Sequence, residues 1–260
     1  MINNGTNDPK ESSKLILIGR NAILEALNHE KPVDKILVKR GGVEGTLRVI
    51  AAKARERGIV LQEADKSRLD ELAESGNHQG VVGICPAKEY VEIEEILAYA
   101  KDKKEDPFIL ILDNIMDPHN LGAILRSAEA AGIHGVILPK RRSVGLTPVV
   151  VKTSSGAIEH ILVSRVTNLS DAITKLKNNG LWIACADMDG NNLYEADLSG
   201  PIALLLGSEG MGVSRLLAKN SDFTVKIPMF GHIDSLNASV AAGILMYEVV
   251  RRRRFMGAAP

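Results

Sequence analysis

The chain has 260 residues, 45% of them hydrophobic, and balances 32 Lys and Arg against 32 Asp and Glu. That length suits one large or two modest domains with a substantial core, and zero net charge excludes a global field drawing the chain to nucleic acid. Cys85 and Cys185 are the only cysteines, and neither lies in a C-x-x-C or Cys/His cluster, so neither a disulfide framework nor a zinc site is indicated, no metal is expected, and a reducing cytoplasm fits.

Residues 1–14, MINNGTNDPKESSK, lack the apolar core of a signal peptide and are expected to form a disordered polar tail. No later apolar run is long enough to span a membrane. Residues 15–90 carry a complete small α/β pattern. Helices are predicted at 22–27, 46–57 (ended by Gly58) and 68–73, strands at 35–39, 59–62 and 81–85, and Pro86 closes the unit. Residues 91–107 hold three Lys against six Asp and Glu, lack a strong apolar face and end at Pro107. They are expected to be an interdomain linker.

From residue 108 to 260 strands and helices alternate as in a mostly parallel sheet. FILILDNI reads as a buried strand, and a helix is expected over 121–131 with Asn120 as N-cap and Gly132 beyond its end. A strand at 135–138 leads into the basic loop Lys140, Arg141, Arg142, and Thr147 and Pro148 open a further helix. Strands at 161–166, 182–187, 203–206 and 224–227 complete the sheet, and the last helix is expected over 237–254.

Loops leaving the carboxyl ends of such strands are where ligands bind. Two of them draw attention, GSEGMG after residue 206 and IPMFGHIDSLNAS after residue 226. Gly207, Gly210 and Gly212 permit positive φ and close backbone approach. Their G-x-x-G-x-G order reverses the dinucleotide fingerprint and no GK[ST] follows, so a phosphate cradle is not indicated. On the helix after the first strand, Leu121, Ile124, Leu125 and Ala128 form the core stripe. His119, Gly122, Arg126 and Glu129 fall on another face, where Gly122 leaves Arg126 unshielded one turn away. Taken alone, that arginine could equally pair with Glu129 at the surface. Lys140 to Arg142 and the run Arg251, Arg252, Arg253, Arg254 are candidates to hold phosphates, with solvated surface, or for the arginine run a basic helix end, as the alternative.

In combination, Asn120 with Arg126, the GSEGMG loop and the IPMFGHIDSLNAS loop resemble, in order and spacing, the three motifs of the SpoU/TrmH-type RNA ribose 2'-O-methyltransferases of the SPOUT superfamily. GRNAILEAL from Gly19 and NHQGVVG from Asn77 resemble the substrate-recognition domain of the bacterial 23S rRNA guanosine 2'-O-methyltransferases. The resemblance implies an α/β architecture in which a SPOUT trefoil-knotted parallel-sheet catalytic domain follows a small L30e-like α/β RNA-recognition domain.

It also implies S-adenosylmethionine as methyl donor, held by Gly207, Ile227, Met229 and Leu236. Arg126 would act at the ribose 2'-hydroxyl, Asn120, Ser235 and Asn237 would arrange the pocket, and Glu209 would hold its loop. The family forms homodimers through catalytic-domain helices, and Ala241, Ala242, Ile244, Leu245 and Val249 offer such a surface here, with packing on their own sheet as the alternative. RNA is then the partner, neither DNA nor membrane, and a 23S rRNA guanosine is the expected target. A tRNA guanosine or an rRNA adenosine stands as alternative, as does a non-catalytic rRNA-binding or ribosome-assembly protein. The missing phosphate signatures argue against a generic nucleotide-dependent enzyme.

Overall fold

The computed structural model describes residues 16–41, 44–74, 76–233 and 235–256. The expected tail over 1–14 lies outside them. The chain divides into two compact units, Met1–Glu89 and Tyr90–Pro260.

In the first unit, strands β1 (Ile16–Ile18), β2 (Lys35–Lys39), β3 (Val60–Ala64) and β4 (Val81–Ile84) form one sheet in the order β1-β4-β2-β3. β2 and β3 run parallel, and β4 lies antiparallel to both β1 and β2. Alternation along β2 decides the layers. Ile36 and Val38 face helices α1 (Arg20–Asn28) and α2 (Thr46–Glu56), packing with Ile23, Ile50 and Ala54. Leu37 points the other way, onto Leu69 and Ala73 of α3 (Lys66–Ala73).

The second unit is built on six strands, β5 (Phe108–Leu112), β6 (Gly135–Pro139), β7 (Leu162–Val166), β8 (Trp182–Asn192), β9 (Ile202–Leu206) and β10 (Phe223–Lys226). Every pair is parallel, in the order β10-β8-β9-β5-β6-β7. A parallel sheet covered on both faces needs apolar residues at successive positions. β5 and β9 are accordingly buried at all five positions. Phe108, Leu110 and Leu112 face α5 (Pro118–Ala130), α6 (Pro148–Thr153) and α9 (Ala238–Arg251), whereas Ile109 and Ile111 face α4 (Ile93–Asp102), α7 (Leu169–Asn178) and α8 (Arg215–Asn220). β5 has β6 on one side and β9 on the other, so the chain's direction across the sheet reverses there, and in open α/β sheets ligands bind beyond the carboxyl ends at such a point.

Three expectations need correction. Residues 91–107 are not an open linker. Ile93, Ile96 and Ala100 of α4 are at most 3% exposed, and Ile96 sits so close to Gly135 that a Cβ there would lie 2.6 Å from its methyl carbons. Charge dominates this segment, and three apolar residues one turn apart suffice to dock it. Second, α5 begins at Pro118, with the Asp117 carboxylate capping the amide of His119 at 2.9 Å. Asn120 is therefore inside the first turn rather than the N-cap. Third, the last α-helix ends at Arg251 and passes into a π-helical turn over Arg252–Met256.

Candidate active site

Three loops meet at the carboxyl end of the sheet beside β5. The turn after β9 is the tightest of them. A Cβ on Gly207 would lie 2.0 Å from the backbone of Gly212, so no other residue fits there. Gly210 and Gly212 take φ of 78° and 63°, and the Gly212 amide donates to the Ser208 carbonyl at 2.9 Å. The buried Asp113 carboxylate at the end of β5 accepts from the Ser214 amide at 3.1 Å and fixes the far end of the turn.

Glu209 projects from this turn into a closed triangle of side chains. Its Oε1 accepts from Asn237 Nδ2 at 2.7 Å, from Asn120 Nδ2 at 3.2 Å and from the Ala238 amide at 3.0 Å. Asn237 Nδ2 spends its second hydrogen on Asn120 Oδ1 at 3.0 Å. The Asn237 Oδ1 atom caps α9, accepting from the amides of Ser239 and Val240, and the negative Glu209 stands at that helix's positive end. One carboxylate thus joins three segments distant in sequence.

Arg126 does not enter the triangle. Its Nη1 lies 3.5 Å from Ser155 Oγ, and its side chain is exposed. Gly122 packs under Thr153, where a Cβ would come within 2.5 Å of the threonine Cβ. That contact sets α6 and its following turn alongside the arginine. Ser155 holds φ of 51°, a strained backbone for a serine. Of the remaining candidates, Ile227 is half-buried against the core, Leu236 is half-buried, Met229 is 38% exposed and Ser235 is exposed. Among the described residues no three His, Cys, Asp or Glu side chains group to hold a metal ion, and no helix is long and apolar enough to cross a membrane.

The model of the SpoU rRNA Methylase family matches residues 107–247. The chain belongs to this family. Residues 16–91 match the RNA 2'-O ribose methyltransferase substrate binding domain. A Bacillus subtilis (strain 168) protein named for the TrmH family of tRNA/rRNA methyltransferases, YacO, is 45% identical over 242 residues, 93% of this chain and 97% of its own. Among solved structures, the SpoU methyltransferase AviRb from Streptomyces viridochromogenes in complex with AdoMet aligns with a TM-score of 0.59 and 25% identity, over 95% of this chain and 94% of that one. The AdoMet-bound rRNA methyltransferase from Sinorhizobium meliloti aligns with a TM-score of 0.58 and 28% identity, over 92% and 87%. The chain is an RNA methyltransferase of the SpoU/TrmH type with the parallel-sheet SPOUT fold.

Of the two readings of the basic run that begins at the last residue of α9, a phosphate clamp and a basic helix end, the first does not hold for Arg251 to Arg253, which are engaged within the protein. Arg253 donates to the carbonyls of Asp106, Pro107 and Gly200 and stacks on Phe108. Arg251 and Arg252 pair with the buried Glu248. Arg141, Arg142 and Arg254 are exposed. Asp113, Thr153 and Ser155 escape sequence reading. The TSSG run at 153–156 is the one signal that could have shown a packed turn beside Arg126.

Proposed function

We propose that the chain transfers the methyl group of S-adenosylmethionine to a ribose 2'-hydroxyl of RNA, with a 23S rRNA guanosine as target. The triangle of Asn120, Glu209 and Asn237 carries this reading, because it joins the three family motifs in one place. The residues fit the donor: Ser208 Oγ is enclosed without a hydrogen-bond partner, positions 210 and 212 have open space beside them, and Ile227, Met229 and Leu236 offer apolar contact. Gly207 would bring the backbone close. When bound, this donor supplies a methyl already activated as a sulfonium.

The protein then needs to align one hydroxyl and manage its proton. Alignment alone is worth roughly 7 to 11 kcal/mol. Asn120, Asn237 and Ser235 shape the pocket, Glu209 locks its loops, and Arg126 clamps the hydroxyl and its neighbouring phosphate. A guanidinium does not give up its proton in proteins, so a phosphate oxygen or water takes the hydroxyl's proton.

The separation of Arg126 from the triangle supports a homodimer in which the site is completed across subunits. Ala242, Leu245 and Val249 are buried in the chain's own core. The proposed contact therefore uses Val240 and Tyr247 of α9, 50% and 51% exposed, with Ile244, half-buried against the core, between them. The catalytic sheet would carry the family's trefoil knot, and the first unit would select the RNA.

Labelled donor incubated with separate 23S rRNA and tRNA, followed by mapping of ribose methylation, tests the reading. One methylated 23S guanosine, lost in Asn120→Ala, is the expected result. Methylation confined to tRNA would move the substrate, and no transfer to either RNA would overturn the activity.

A further inference from the structure

Phe230 is 96% exposed. Of the other phenylalanines, Phe108 is buried, Phe223 is half-buried against the core, and Phe255, 76% exposed, lies on the terminal π-helical turn and not on a loop of the site. Phe230 stands on the segment that leaves β10 and ends at the cap residue Asn237, so its ring is carried by the loop that builds the triangle. A Cβ on the adjacent Gly231 would meet nothing within 4 Å, and His232 is exposed. The ring stands on an open loop tip whose exposed neighbours are the apolar Met229 and Ile233, 38% and 72% exposed, as well as the polar His232. Met116, on the loop before α5, and Met211, on the glycine turn, are 62% and 75% exposed. Each of the three loops joined by Glu209 thus presents at least one soft or aromatic side chain to solvent, the third presenting both Met229 and Phe230.

We infer that Phe230 is a stacking platform for an unpaired nucleobase of the RNA substrate, at or beside the nucleotide that is methylated. The inference rests on RNA being the substrate. Proteins read RNA where bases are unstacked and splayed onto aromatic rings, and every base offers a π-face to such a ring. Aligning one ribose hydroxyl also requires that the rest of its nucleotide be held, and the side chains of the triangle are engaged with one another. A bare ring on the same loop supplies that hold without sequence-specific hydrogen bonds. Discrimination between nucleotides then falls to other contacts.

The test compares wild type with Phe230→Ala, Phe230→Leu and Phe230→Tyr, using labelled donor and total bacterial RNA, which contains both rRNA and tRNA. Losing one base stack raises the RNA KM by roughly five- to hundredfold. Ala and Leu should both show this rise and Tyr should stay near wild type, while donor affinity by calorimetry and sedimentation mass stay unchanged in all four. A Leu variant that behaves as wild type would show that only apolar bulk matters and would overturn the proposal. So would an Ala variant that loses donor affinity or changes sedimentation mass, since the ring would then serve the cofactor loop or a second copy. If wild type transfers nothing to total RNA, the proposed function fails by itself. Fluorescence of a 2-aminopurine oligonucleotide then still decides stacking: quenching by wild type and Tyr but not Leu supports it, and equal quenching by all three overturns it.

Discussion

Glu209 and Asn237 are 28 residues apart in the chain, yet Oε1 of one accepts from Nδ2 of the other at 2.7 Å. Because the same oxygen also takes the Asn120 amide and the Ala238 backbone amide, its removal strands three donors at once. A hydrogen bond to a charged group contributes roughly 1.5 to 3 kcal/mol. Glu209→Ala should therefore slow single-turnover methyl transfer by about ten- to hundredfold, while Glu209→Gln, which keeps one acceptor oxygen but replaces the charge and the other oxygen with an NH2 donor, should fall less. An unchanged rate in Glu209→Ala would show that the three loops hold their places without it.

Gly122→Ala tests whether α5 and α6 are as close as they stand. The added Cβ would lie 2.5 Å from Thr153 Cβ and 3.1 Å from the Val150 carbonyl. Overpacking of this kind costs about 1 to 3 kcal/mol, and each kcal/mol lowers Tm by about 2 to 4 °C in a domain of this size. Part of the loss is offset by the better helix propensity of alanine. Combining it with Thr153→Gly should recover stability by removing the opposing Cβ. Equal melting temperatures for wild type and Gly122→Ala would mean that the helices separate freely.

Some of this arrangement is legible in the sequence and some is not, for identifiable reasons. β5 and β9 are read correctly because a strand buried on both faces must be apolar throughout. α4 is missed because Ile93, Ile96 and Ala100 are diluted by carboxylates, so its core stripe is visible only once Gly135 and the sheet are there to receive it. The start of α5 is misplaced because both Asp117 and Asn120 are good N-cap residues, and Pro118 at the first helical position decides between them. The roles of Arg251, Arg252 and Arg253 depend on backbone carbonyls and a buried carboxylate brought in by folding. Composition alone leaves the same arginines open to phosphate or to a basic helix end.

Glu248 gives the fold a pH dependence. It is 4% exposed, and its oxygens accept from Arg251 at 2.6 and 2.7 Å and from Arg252 at 2.9 Å. The hydrogen bond from Arg251 is the main cause that holds its carboxyl below the ordinary value of 4.5, with burial opposing and Arg252 adding to the lowering. The unfolded chain then binds this proton more tightly than the folded one. Stability from this group is fully present above the ordinary value and is lost as pH falls through the lower folded-state value. Thermal unfolding between pH 7 and 3 should show a decline below about pH 4.5 that is shallower in Glu248→Gln. Parallel curves for the two proteins would remove Glu248 from the acid sensitivity of the fold.

Arg126 carries the sharpest prediction, because the size of its effect distinguishes two roles. In the single chain its guanidinium reaches Ser155 Oγ and not the triangle, which leaves it available to a ribose hydroxyl and phosphate presented at the α5 face. As a clamp it contributes one or two charged hydrogen bonds, so Arg126→Ala should slow transfer by about ten- to hundredfold. A general base can be worth up to about ten-thousandfold. Arg126→Lys should recover part of the rate if charge is what matters, since an ammonium still donates to oxygen but cannot reproduce the fork. Donor affinity should stay near wild type in both variants, because Gly207, Ile227, Met229 and Leu236 lie on other loops. Single-turnover transfer at saturating RNA separates the cases. A wild-type rate in Arg126→Ala removes the residue from catalysis, and a loss well beyond a thousandfold that lysine fails to relieve would favour proton abstraction over the clamp.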